Sequence, residues 1–227
     1  MKSFFLFVFL IGLHHTIWSQ KSDLGNWYIY LGNFELNSRW NIHHEIQYRN
    51  YNFIGDLQQL LLRAGIGYNL SEGNNNLLLG YGFIRSGNYS NNLEEKIYSN
   101  EHRIYQQFIT RQQFGRVYLQ HRYRVEERFI KEELTLRYRY FLAANIPLTK
   151  SKMEKSAVYA SAYNEIFVNN SGPALDRNRI YGALGYVFSK RLKLELGYMN
   201  QIQPNKSRGQ IQMVIFSNLD VFRSKAD

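Results

Sequence analysis

Residues 116–129 read RVYLQHRYRVEERF, and their alternation decides the fold. Arg116, Tyr118, Gln120, Arg122, Arg124, Glu126 and Arg128 share one parity; Val117, Leu119, His121, Tyr123, Val125, Glu127 and Phe129 share the other. A period of two held over this length predicts a β-strand, because successive side chains of a strand point to opposite faces. The stretch is longer than the ~5–6 residues usual in soluble sheets and matches the ~9–11 residues that cross a bilayer, with overhang. A charged face backed by a largely apolar one is what a barrel wall in lipid requires.

The same alternation predicts strands near 27–36, 40–51, 58–70, 77–87, 98–113, 134–147, 157–168, 178–188, 192–203 and 210–222, eleven in all with 116–129. Short connections fall at 37–39, 71–75, 114–115 and 189–191, with 148–155 as a longer, basic member of that set. Residues 88–97 and 169–177 are longer and rich in Asn, Ser and Gly, although those near 52–57 and 130–133 are not long. Tight turns on one rim and looser loops on the other form the outer-membrane barrel pattern. Tyr28, Trp40, Tyr48, Tyr68, Tyr123, Tyr138, Tyr186, Phe188 and Tyr198 all take the outward parity, as aromatic residues at membrane interfaces do. The expected fold is therefore all-β, a single antiparallel up-and-down transmembrane β-barrel of ten to twelve strands. Eleven conflicts with the even counts usual in bacterial barrels. Either the first segment is not an ordinary wall strand, one segment is divided, or a twelfth is missing.

A two-residue turn at Phe114-Gly115 makes opposed residues sum to 229. Glu101 then faces Arg128 and Arg103 faces Glu126, with Tyr105 opposite Arg124 and Gln107 opposite Arg122. On the other face this register sets Phe108 against His121 and His102 against Glu127. The inward parity collects His43, Glu45, Arg49, Arg63, Arg137, Arg139, Glu165, Arg177, Arg179 and Glu195. Arginine exceeds carboxylate there. Such a lumen either fills itself with ion pairs or uses the excess to bind or pass small anions.

Residues 1–19, MKSFFLFVFLIGLHHTIWS, carry one Lys and a ten-residue apolar run from Phe4 to Leu13, about half of the ~20 residues a spanning helix needs. They read as a cleaved secretory signal, leaving residues 20–227 as one barrel domain in the bacterial outer membrane. The chain of 227 residues contains no Cys, which excludes disulfides, thiolate metal sites, thiol catalysis and a lipoprotein anchor. Its charge of +10 is spread as Arg alternating with apolar residues, not as a nucleic-acid-binding block.

The phrases RWNIHHEIQYRNY, LLLRAGIGYNL, NEHRIYQQFITRQQFGRVYLQHRYRVEERF, LRYRYFLAANIPL, YNEIFVN, DRNRIYGALGYVF and LELGYMNQ resemble the domain of unknown function 2490 family. The resemblance covers most of residues 24–221. Its most specific part is E-x-R…R-x-R-x-E-x-R on paired strands, here Glu101, Arg103, Arg122, Arg124, Glu126 and Arg128. It implies an exported outer-membrane barrel and supplies no catalytic residue.

Two other functions compete. A lipid-modifying hydrolase at the membrane rim would use His102 as base, oriented by Glu127, but Ser99 has lumen parity and no G-x-S-x-G motif is present. A periplasmic lipocalin-like carrier would need an apolar interior and a polar exterior, the reverse of the faces read above. Adjacent His43 and His44 point to opposite faces and cannot share a metal; neither P-loop nor dinucleotide motif is present. Enzymatic activity is left open, with a non-enzyme favoured. The reading names no cofactor or metal, and as partners only outer-membrane lipid and small anionic solutes for a monomer.

Overall fold

A computed structural model describes residues 24–71, 74–90, 95–131 and 133–220 of the chain. The expected signal segment, residues 1–19, lies outside them. The described residues contain eleven strands: β1 Leu24–Glu35, β2 Trp40–Asn50, β3 Leu57–Asn69, β4 Asn75–Tyr89, β5 Lys96–Phe114, β6 Val117–Ile130, β7 Glu133–Pro147, β8 Val158–Asn169, β9 Leu175–Val187, β10 Leu192–Gln203 and β11 Lys206–Asp220. Each coincides with one alternating segment of the sequence, with ends displaced by a few residues. The strands pair with their chain neighbours around a closed barrel.

Ten of the eleven seams are antiparallel; the closing one, between β1 and β11, is parallel and runs in register from Leu24↔Gly209 to Glu35↔Asp220. This is a topological necessity. A meander reverses direction at every turn, so an odd number of strands leaves the first and last pointing the same way. Among the described residues the barrel thus closes with eleven strands, with no divided segment and no twelfth strand. Antiparallel pairing throughout is corrected at that seam alone. We call the rim where β1 starts the Leu24 rim and the rim where β11 ends the Asp220 rim.

The expected contrast in loop length is not observed. Two-residue connections occur on both rims, Gly115-Arg116 at the Asp220 rim and Pro204-Asn205 at the Leu24 rim. The long 148–157 connection lies at the Asp220 rim, which was expected to carry the tight turns. It is fastened there: Arg116 donates through Nη2 to the carbonyls of Pro147 at 2.6 Å and Lys150 at 3.0 Å, and Met153 packs against Ala157, Tyr159 and Val187.

The register of β5 on β6 also differs from expectation. Opposed residues sum to 231, so Glu101 faces Ile130, Arg103 faces Arg128, Tyr105 faces Glu126 and Gln107 faces Arg124. The turn residues are Gly115 and Arg116, with Gly115 at φ +57°, a left-handed conformation that glycine adopts without steric cost. Taking Gly115 as the second turn residue displaces every partner by two. A shift of two preserves parity, so each side chain keeps its face.

Outside, the wall is apolar. Ile42, Ile46, Leu62, Ile66, Leu79 and Leu196 are exposed between 36 and 54 %, with Trp40, Tyr68, Tyr186 and Phe188 toward the Asp220 rim and Tyr28, Tyr48 and Tyr138 toward the other. Soluble monomers rarely expose so many large apolar side chains side by side. Inside, two tyrosines lie across glycines on the next strand: Tyr105 faces Gly80, and Tyr159 faces Gly185. A Cβ at either glycine would collide with the ring. The faces are therefore polar inside and apolar outside, the opposite of a lipocalin-like carrier.

Candidate functional site in the barrel lumen

Inward parity on neighbouring strands brings carboxylates from β6 and β8 beside arginines from β5 to β9. Glu126, fully buried, accepts hydrogen bonds from Arg139 at 2.5 Å, Arg103 at 3.3 Å and Arg124 at 3.4 Å. Glu165 accepts from Arg122 and Arg139 at 2.6 Å, and Arg179 lies 3.5 Å away. Arg139 joins the two centres. Towards the Leu24 rim, Glu101 accepts from Arg103 at 2.7 Å and Arg128 at 2.5 Å, and Asp176 from Arg177 at 2.6 Å with Arg137 at 3.3 Å. Phe167 sits among these cations, with the guanidinium carbons of Arg139 and Arg179 at 4.5 and 4.6 Å from its ring.

Two pairs expected from the displaced register, Glu101–Arg128 and Arg103–Glu126, therefore do form, but diagonally. An arginine is long enough to reach a partner two residues along the adjacent strand. Arg124, expected opposite Tyr105, instead stacks over that ring at 4.4 Å and donates to Gln107 at 2.8 Å. On β2 and β3, Arg63 donates to Glu45 at 2.6 Å. Glu195 accepts from the hydroxyls of Tyr159 at 2.9 Å and Tyr181 at 3.3 Å.

Towards the Asp220 rim the lumen keeps a cavity of about 440 Å³. Its floor is Arg63, Arg124, Arg139, Glu45 and Glu165; nearer the mouth lie Asn33, Asn145, Asn218, Arg111 and Lys193. Eleven strands explain both features. Interiors of about eight strands are filled by side chains and those of sixteen or more leave a channel, so an intermediate barrel is part filled and part open. Among the described residues seven arginines are buried against five glutamates, an excess of guanidinium groups. Arg49 stacks on Trp27 at 3.7 Å and is held by Gln47 and Gln59, with no ion-pair partner among the described residues.

The rim pair proposed for hydrolysis does not assemble. His102 faces Phe129, and Glu127 faces Ile104. His102 shares a 2.6 Å hydrogen bond with the Tyr81 hydroxyl, while Glu127 accepts from Gln106 at 3.2 Å. Ser99 pairs with Ser86 on the inward parity. His44 and His121 repeat the arrangement, bonded to the hydroxyls of Tyr30 at 3.1 Å and Tyr140 at 2.9 Å. All three imidazoles take the outward parity, where apolar surroundings require a polar group to find a partner. His121 lies opposite Thr110, not Phe108.

The family described as a protein of unknown function (DUF2490) matches residues 24–212. The chain belongs to the DUF2490 family. The solved structure of OmpT, in-vitro folded, an outer membrane protein of Vibrio cholerae in its trimer form, is similar to this DUF2490 chain with a TM-score of 0.40 and 12 % identity. The match covers 75 % of this chain and 61 % of that one. A comparison with curated proteins finds no match.

Sequence reading of this DUF2490 chain missed the neutral and aromatic partners of its charged residues: Trp27, Gln47, Tyr163, Phe167, Tyr181 and Gln212. Their inward parity was visible. Their roles were not, because they depend on which strand lies across the lumen.

Proposed function

We propose that the chain is an outer-membrane β-barrel protein, exported with removal of residues 1–19, whose lumen holds a small anionic solute and is closed to through-flow. The apolar exterior supports residence in lipid, with outer-membrane lipid as the surrounding partner and the monomer as the working unit. One observation carries the binding function: an excess of guanidinium groups around a cavity that opens at the Asp220 rim. A low-dielectric wall focuses the field of such charges and raises the local concentration of anions. The Arg/Glu network centred on Glu101, Glu126 and Asp176 lies on the Leu24-rim side of the cavity and supports a closed lumen over an open pore.

The refolded chain in a planar bilayer under asymmetric salt tests both parts. Silence from protein shown to be inserted is expected, together with a rise in unfolding midpoint when phosphate replaces sulfonate buffer at constant ionic strength, since a ligand of the folded state stabilises it. Discrete anion-selective conductance steps would replace this reading by a pore. Absence of any anion-specific stabilisation would remove the binding function.

A further inference from the structure

The cavity has two unlike sides. From β8 through β9, β10 and β11 to β1, the inward residues include an apolar cluster of Trp27, Ile29, Tyr181, Met199 and Val214, with Tyr163 and Phe216 packed against it, set among the charged Glu165, Arg179, Lys193 and Glu195. Aromatic contact is continuous across β7, β8 and β9: Phe141 lies 5.0 Å from Tyr163, which stacks on Tyr181 at 4.5 Å. From β2 through β7 the facing side is cationic, with Arg49, Arg63, Arg111, Arg122, Arg124 and Arg139. Division of a lumen into an aromatic arc and a guanidinium arc is not needed to plug it. In the other half of this barrel ion pairs around single rings, Phe167 and Tyr105, occupy the lumen without such an arc.

The cations are also unequally committed. Glu45, Glu165 and Glu195, the carboxylates of the cavity, are all engaged by Arg63, by Arg122 and Arg139, or by two tyrosines. Arg49, Arg111 and Lys193 line the same cavity and form no ion pair among the described residues. Lys193 lies over the Phe216 ring at 5.2 Å, which places one uncommitted charge on the aromatic side itself. Two neutral donors on that side, Trp27 Nε1 and Gln212 Nε2, are buried without an acceptor. A buried donor left unpaired is costly.

We infer that the cavity binds a small aromatic carboxylate, its ring against Phe141, Tyr163 and Phe216 and its carboxylate answering Arg111 and Lys193 near the mouth. This rests on the anion-holding lumen proposed above and names the ligand class for it. An inorganic anion leaves the aromatic arc unused, and a neutral aromatic leaves the cations uncompensated. Only a ligand with both parts matches both sides. The volume, about 440 Å³, lies within the range of small-molecule sites.

The test is isothermal titration of the refolded full chain in detergent with benzoate, acetate, inorganic phosphate and benzyl alcohol, each corrected for titration into empty micelles. Benzoate is expected to bind saturably and about tenfold more tightly than acetate, with no saturable heat from benzyl alcohol. Lys193→Met and Arg111→Gln remove uncommitted charges outside the ion-pair network, so the barrel persists. Each should weaken benzoate about tenfold, the loss of one charge-assisted contact. Phe141→Leu should bring benzoate down to the level of acetate. If acetate and phosphate bind as well as benzoate and Phe141→Leu changes nothing, the aromatic assignment is overturned while the anion-holding lumen stands. If benzyl alcohol binds as benzoate does, charge is irrelevant and the assignment fails. No saturable heat from any anion overturns both.

Discussion

Arg139 grips a single oxygen of Glu165 with two nitrogens, Nε at 3.0 Å and Nη2 at 2.6 Å, while its remaining nitrogen donates to Glu126 at 2.5 Å. One guanidinium from β7 thereby ties β6 to β8. Glu165→Gln keeps the shape and removes the charge that faces Arg122, Arg139 and Arg179. Breaking a buried pair from one side typically costs ~3–5 kcal/mol. Urea unfolding of the refolded protein should show a loss of that order. The double variant Glu165→Gln with Arg139→Gln should recover part of it, because the uncompensated charge is then reduced. Full additivity of the two losses would contradict the bridge.

The register of β5 on β6 can be read by cross-linking, since the chain has no native cysteine to interfere. Thr110 and His121 are directly opposed, while Phe108 and His121 are offset by two residues. Oxidation should join Thr110→Cys to His121→Cys efficiently. Phe108→Cys with His121→Cys should remain largely open, because diagonal neighbours lie ~7–8 Å apart and exceed disulfide reach. Preferential cross-linking of the second pair on non-reducing gels would restore the register summing to 229.

Parallel closure gives a sharper version of the same experiment. Asn33 of β1 and Asn218 of β11 are opposed across the seam. Asn33→Cys with Asn218→Cys should cross-link within one chain and change its mobility in denaturing gels. A strand outside the described residues inserted between β1 and β11 would separate the positions and abolish the product.

The outer face is tested by charge. Ile46, half exposed in the middle of β2 and flanked by exposed Leu62, should tolerate Met. Ile46→Arg should lower stability in vesicles by ~2–4 kcal/mol, the cost of a lipid-facing arginine near the bilayer midplane. A neutral result for arginine would mean that this surface meets water.

Tyr81→Phe removes the hydroxyl that partners His102 and should cost about 1–3 kcal/mol, the penalty for leaving a polar group unsatisfied away from water. Unfolding of the barrel in lipid measures it. Phe is otherwise a close fit for that exposed ring, so an unchanged midpoint would show that water, not Tyr81, satisfies the imidazole.

How far the sequence carries depends on the kind of question. Parity is a local property, since adjacent strand residues point to opposite faces whatever the strand lies beside. Reading RVYLQHRYRVEERF and its ten counterparts was therefore enough to assign Arg122, Arg124, Glu126, Arg139 and Glu165 to the lumen. It was enough, too, to assign Trp40 and Tyr123 to the outside. Even the error at the β5–β6 turn left those assignments intact, because it was a shift of two.

Partner identity is not local. His102 and Glu127 looked paired only under a register in which Gly115 held the second place of the turn; its positive φ at the first place moved every partner and separated them. The parallel β1–β11 seam follows from an odd count, yet only closure in three dimensions decided that the eleven strands of the described residues complete a barrel. The cavity lay furthest from the sequence: it depends on Phe141, Tyr163 and Tyr181 on one side of the lumen meeting Arg49, Arg63 and Arg111 on the other. The sequence by itself determined which face each residue takes, because a two-residue period is written into neighbouring side chains. Only the tertiary structure decided which residues meet across turn, seam and lumen, because those distances are set by register and closure over the whole chain.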